Sequence, residues 1–256
     1  MIVTIGCFAL WFTAAWLSHL EAKSYWVPIT ILQFAGLIFP FFISWLMIRK
    51  KTFLKLDFYT RLTRFSKLQL KACFIAIIIM FGSILGATTI SLFLGYSPSQ
   101  FLLSDHASFS AGIFSGWVAL LIAPIIEELS WHSYGTDCLR RSFNMFWTSI
   151  IFAVYWVFWH MPLGFIVNYY QANLIDEGWQ YSLNFAVSLL PFVLIMNWLY
   201  YSARRSIIVA IVFHLCASVA NELFQTHPDT KIIQTVLLLI LTIGLLYRYP
   251  RIFFTK

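Results

Sequence analysis

Apolar residues in this chain come in long unbroken runs. They show neither the strict alternation of a half-buried strand nor the narrow stripe of a soluble amphipathic helix. A helix needs about 18 to 20 consecutive apolar residues to cross the hydrocarbon of a bilayer. Runs at roughly 2 to 17, 26 to 48, 70 to 95, 109 to 131, 145 to 167, 182 to 201, 206 to 224 and 231 to 247 meet or approach that length. The pattern predicts an all-α polytopic membrane protein with about eight transmembrane helices, residues 1–256 forming a single membrane domain. The first run is short, but no basic segment precedes it and no small-residue cleavage site follows, so it is expected to stay attached.

Composition agrees: 61% of residues are hydrophobic and 11% charged, against about 25% charged in soluble domains, and the mean hydropathy is +0.80. The net charge of +7 is explained by where the cations fall. Arg49, Lys50, Lys51, Lys55, Arg61, Arg64, Lys67 and Lys71 lie between the second and third runs. Arg140 and Arg141 follow the fourth, Arg204 and Arg205 the sixth, and Arg248, Arg251 and Lys256 the eighth. The alternate connections hold only Lys23 and Lys231 as cations, beside Glu21, Asp105, Asp176, Glu177 and Asp229. The positive-inside rule therefore orients all eight spans without conflict and puts both termini in the cytoplasm. The partner this charge implies is the lipid bilayer, with no nucleic acid, and the expected location is a plasma membrane of bacterial type, crossed many times. Residues 49 to 71 read first as a topology determinant and second as an amphipathic helix on anionic lipid.

Cys7, Cys73, Cys138 and Cys216 have no C-x-x-C spacing, and no phosphate loop, H-E-x-x-H or G-x-S-x-G is present. Gly82 and Gly86 form a G-x-x-x-G that would permit close helix approach. The chemistry must come from the few ionisable groups inside the apolar runs: Glu127, Glu128, His160, His214 and Glu222. Such groups are costly in hydrocarbon and face a polar cavity or a partner. Glu127 and Glu128 are about 100° apart on a helix, so they serve different partners. Glu128 shares a face with His132 four residues on, which suggests a local pair. Pro124 removes one helical hydrogen bond just before the acids. Trp156 and His160 lie one turn apart, and His214, Ser218 and Asn221 form a polar stripe on the seventh run.

In this order, Glu127-Glu128-x-x-x-His132, Trp156-x-x-x-His160 and His214-x-x-x-Ser218 resemble the CPBP family, also called Abi, of CAAX proteases and bacteriocin-processing enzymes. The resemblance covers about 120 to 222, within an expected catalytic core of about 109–224. It implies an intramembrane, glutamate-dependent endopeptidase acting on a hydrophobic or membrane-associated peptide or protein. In that reading Glu127 and His160 activate water, His214 and Ser218 face the oxyanion, and Glu128 supports, tied to His132. Trp156 and Asn221 complete the supporting set, with Asn221 a substitute oxyanion donor. No cofactor is expected, although Glu127, His160 and His214 are the set a zinc ion would use. The family pattern has arginine, phenylalanine and an amide where this chain has His132, Trp156 and Ser218. The cavity is expected to open toward the cytoplasm. A catalytically inactive immunity or accessory protein that binds a peptide is the alternative, and a proton-coupled carrier a third.

Overall fold

The computed structural model describes residues 1–20 and 25–256, so Glu21 and Lys23 of the charge pattern lie outside the described residues. The chain is an integral, multi-pass, all-α membrane protein. Its apolar helices are α1 (Ile2–Ser18), α2 (Trp26–Arg49), α4 (Lys67–Phe93), α5 (Gly116–Ser130), α7 (Met145–His160), α9 (Trp179–Ser202), α10 (Ile207–Leu223) and α11 (Pro228–Arg248). Four of these, α2, α4, α9 and α11, are long and apolar enough to cross a membrane, as is the segment Met145–Phe165 that begins with α7. Helices α1 and α10 are shorter apolar helices of 17 residues each.

Small residues let α1 and α2 pack closely. A side chain at Gly36 would collide with the Trp11 indole, and one at Gly6 with the Phe39 ring. Trp11 Nε1 donates to the Gln33 carbonyl at 3.1 Å, joining the same two helices. By contrast, Gly82 and Gly86 bring no backbone close. A side chain at Gly82 would meet nothing within 4 Å, and one at Gly86 only Leu237 Cδ1 at 3.7 Å. The G-x-x-x-G spacing therefore carries no tight helix contact within the described residues.

Residues 49 to 71 contain a helix, α3 (Thr52–Thr63), that leaves Phe53, Leu56 and Tyr59 exposed and buries Phe58 and Arg61. Exposed aromatic and leucine side chains beside Lys55 and Arg64 suit a helix lying in the interface. The run expected over 109 to 131 begins later, at Gly116. Before it come two short antiparallel strands, β1 (Ser110–Ala111) and β2 (Phe114–Ser115), joined through Gly112 at φ 67°. Ser115 then caps α5 by accepting from the Trp117 amide. Beyond Ser130 the helix runs through a π turn (Trp131–Gly135) into α6 (Thr136–Ser142). Helix α7 stops at His160 because Pro162 follows, and a single 3-10 turn (Met161–Phe165) replaces its expected extension to 167. A short α8 (Tyr170–Glu177) and a terminal α12 (Pro250–Phe254) complete the chain.

Helix α10 is central and packs against α4, α5 and α9, with Val209, Ala210, Phe213 and Ala220 fully buried. This position matters because α10 carries the third polar motif. Apolar side chains such as Ile5, Phe74 and Ile243 point outward and are exposed, as expected of faces that meet lipid rather than water.

Candidate active site

Glu127 and Glu128 lie on the last turn of α5 and are both buried. As their ~100° separation requires, they enter separate networks. Glu127 Oε2 accepts from Trp156 Nε1 at 3.0 Å, and its side chain lines a cavity of about 380 Å³. Glu128 is fully buried and bridges two imidazoles: Oε1 accepts from His214 Nδ1 at 2.7 Å, and Oε2 meets His132 Nδ1 in a short contact. The local Glu128–His132 pair read from the four-residue spacing is therefore present, and the same carboxylate also holds α10.

The protons in this network can be traced through its partners. Ser149 donates its hydroxyl to the Met145 carbonyl at 2.8 Å, so it accepts from Asn197 Nδ2, also at 2.8 Å. That fixes the Asn197 amide, whose Oδ1 faces His132 Nε2 at 3.0 Å. Because Oδ1 only accepts, Nε2 must carry hydrogen. One further proton lies between His132 Nδ1 and Glu128 Oε2. His132 thus ties Glu128 to Asn197 from the position where the family pattern has arginine.

His160 closes α7 with Nδ1–H donating to the Trp156 carbonyl at 2.8 Å. Its Nε2 has no partner among the described residues, and the residue lines the cavity. His214 has Nδ1 committed to Glu128, and its Nε2 likewise has no partner among the described residues. Glu127, His160, His214 and Ser218 thus line one space, together with Trp156 and Phe192. Asn221 lines it too, but its amide donates to Tyr170 Oη at 3.0 Å and Glu222 Oε1 at 3.1 Å. Those donors are already engaged, so Asn221 is a poor stand-in for an oxyanion donor. Glu222 does not line the cavity; it accepts from the amide of Ser108, which does, at 2.8 Å. Among the described residues no three His, Cys, Asp or Glu side chains are grouped closely enough to hold a metal ion.

Several supporting residues escaped the sequence reading. Arg61 on α3 donates from Nη1 to the His132 carbonyl and from Nη2 to the Ser133 carbonyl, both at 2.7 Å. A π turn displaces carbonyls from their helical partners, and Arg61 with Tyr200, which donates to the same His132 carbonyl at 3.0 Å, satisfies them. Arg61 also pairs with Asp57 at 2.8 Å and Asp137 at 3.0 Å, and Arg205 joins the same two acids. Arg205 and Arg204 both take left-handed backbone (φ 61° and 58°) in the α9–α10 turn, a conformation unusual outside glycine. The ion pairs of Arg205 help to hold it there. The one sequence hint was the i, i+4 spacing of Asp57 and Arg61.

The cavity extends from the mid-depth of the bundle to Ser108, Tyr170, Glu177, Thr226 and Lys231. All five belong to the acidic connections or the helix ends that adjoin them. No side chain of the Arg61, Asp137 and Arg205 cluster lines it. The cavity therefore opens at the acidic end of the bundle, so the expectation of cytoplasmic basic ends and the expectation of a cytoplasmic opening exclude one another in this structure. The reason is topological: α5 enters from the acidic end, and its acids meet the end of α7 and the middle of α10. In a background lacking the four native cysteines, Glu177→Cys should react with an impermeant maleimide in intact cells, and Arg251→Cys only after permeabilisation. The reverse labelling would invert the orientation.

Two comparisons bear on these residues. A family model described as type II CAAX prenyl endopeptidase, Rce1-like, matches residues 109–220. The chain is also 36% identical over 251 residues to CAAX prenyl protease 2 of Methanococcus maripaludis, an alignment covering 97% of this chain and 92% of that protein.

Proposed function

The chain belongs to the Rce1-like CAAX prenyl endopeptidases of the CPBP family and is a membrane protease; from that premise we propose that Glu127 and His160 activate water against a peptide bond of a prenylated or similarly hydrophobic substrate. The observation that carries this reading is the convergence of Glu127, His160, His214 and Ser218 from three helices on one cavity. Burial in a water-poor site strengthens each charge and dipole acting there.

Trp156 holds one oxygen of Glu127, leaving the other for water. His160, protonated on Nδ1 by its bond to a carbonyl, offers its Nε2 lone pair to the same water. As the water oxygen bonds to the carbonyl carbon, Glu127 takes a proton and the carbonyl oxygen becomes an oxyanion. His214, carrying a second proton on Nε2 with its charge balanced by Glu128, donates to that oxyanion together with the Ser218 hydroxyl. Collapse breaks the C–N bond, and Glu127 passes its proton to the leaving amine. Every atom is accounted for, and Glu128 and His132 take no proton from substrate.

The test is mass spectrometry of a farnesylated C-a-a-X peptide incubated with the purified full-length protein in lipid vesicles, wild type beside His160→Ala. We expect a single truncated prenylated product from wild type and at least a 100-fold slower release from the variant. An intact peptide with both proteins would overturn the protease assignment on this substrate. Equal rates would remove His160 from the mechanism.

A further inference from the structure

A second polar group lines the same cavity toward its outer end, and water activation at Glu127 does not use it. Lys231, in the first turns of α11, is the only Lys or Arg among the described residues lining the space that holds Glu127, His160 and His214. Its ammonium lies 3.4 Å from Glu222 Oε1 and 5.9 Å from the centre of the Tyr170 ring. Glu222 does not depend on it, since that carboxylate already accepts from the Ser108 amide at 2.8 Å and from Asn221 at 3.1 Å. An ammonium has three donors, and one long contact leaves it able to bind an anion entering the cavity. The α11 N-terminus beside it adds positive potential.

The spacing gives that anion a place on the substrate. His214 and Glu222 both lie on α10, eight residues apart, or about 12 Å along the axis. Lys231 is in contact with Glu222, so it lies about that far along the cavity from the proposed oxyanion group. Three residues of extended peptide span about 10 Å. A C-a-a-X segment has three residues after its cysteine and ends in a free carboxylate.

Resting on the protease reading above, we propose that Lys231 anchors the substrate's C-terminal carboxylate and so sets the bond presented to Glu127. Lys231 is then a specificity residue: it measures three residues from the chain end and rejects substrates whose terminus is blocked or extended. Glu222, Asn221 and Tyr170 position it. A purely structural Lys231–Glu222 pair would instead affect folding alike for every substrate.

The experiment uses the full-length protein in vesicles and three farnesylated peptides: a free C-a-a-X acid, its C-terminal amide, and the acid lengthened by two residues. Wild type should favour the free acid, with KM at least ten-fold lower than for the amide. Lys231→Met should raise KM for the acid about ten-fold with kcat nearly unchanged, while cutting the amide as wild type does. Lys231→Arg should restore most of the preference for the acid. Wild type cutting acid and amide equally would overturn the anchor while leaving the protease intact, as would a Lys231→Met variant that loses both substrates equally. Wild type cutting none of the three would overturn the protease reading, and the anchor with it.

Discussion

Glu127→Gln should leave the protein folded and lower kcat by about 10²–10⁴-fold, the usual contribution of a positioned general base. The substitution keeps shape and volume. The amide oxygen of glutamine can still accept from Trp156 Nε1, the bond Glu127 makes at 3.0 Å. What disappears is the ability to take a proton from water. KM should change little, because the carboxylate is needed for the chemical step rather than for holding the peptide. Turnover of a prenylated peptide measured beside thermal unfolding in the same detergent separates the two effects. A Glu127→Gln variant retaining more than half of wild-type kcat would remove Glu127 from water activation.

Hydropathy was a reliable guide to the helices because lipid imposes one rule on every residue of a span. Six of the eight apolar runs match their helices to within three residues at both ends, and the fifth overruns α7, which Pro162 stops. The fourth run failed at its start, where Gly112 reverses the chain before α5 begins. That turn is a local backbone event that hydropathy does not register. In the site, the pairing of Glu128 with His132 was legible because four residues on a helix is a contact distance. The bond from Trp156 to Glu127 was not. Tryptophan at that position reads as an aromatic wall equivalent to phenylalanine, yet its N–H makes a hydrogen bond that phenylalanine lacks. Arg61 and Lys231 were absorbed into the charge pattern as topology markers. Their roles come from tertiary contacts across 71 residues in sequence to His132, and with Glu222 across the α10–α11 turn. A count of loop charges carries no information on either.

His132→Ala should destabilise the protein by about 3–5 kcal/mol, the range seen when one member of a buried charge pair is removed. Both side chains of the pair are fully buried, so water cannot replace the lost imidazole without entering the bundle. Glu128 would keep only His214, and Asn197 Oδ1 would lose its donor. Against a total stability of about 5–15 kcal/mol, this is a large fraction, and unfolding should move to clearly lower temperature. Adding Glu128→Gln removes the stranded charge, so the double variant should recover part of the stability. It should recover no activity, because a neutral partner at Nδ1 no longer balances a cationic His214. Stability and turnover therefore separate in the double variant if Glu128 acts on the reaction through His214. If both returned together, Glu128 would serve the fold alone. If His132→Ala shifted stability by less than about 1 kcal/mol, the pair would be no stronger than a surface contact, and His132 would not replace the family's arginine. The two-sided hold on this one carboxylate, from His132 in the π turn and His214 on α10, explains how a chain without that arginine keeps Glu127 aimed into the cavity. The next residue is fixed too firmly for the end of α5 to rotate.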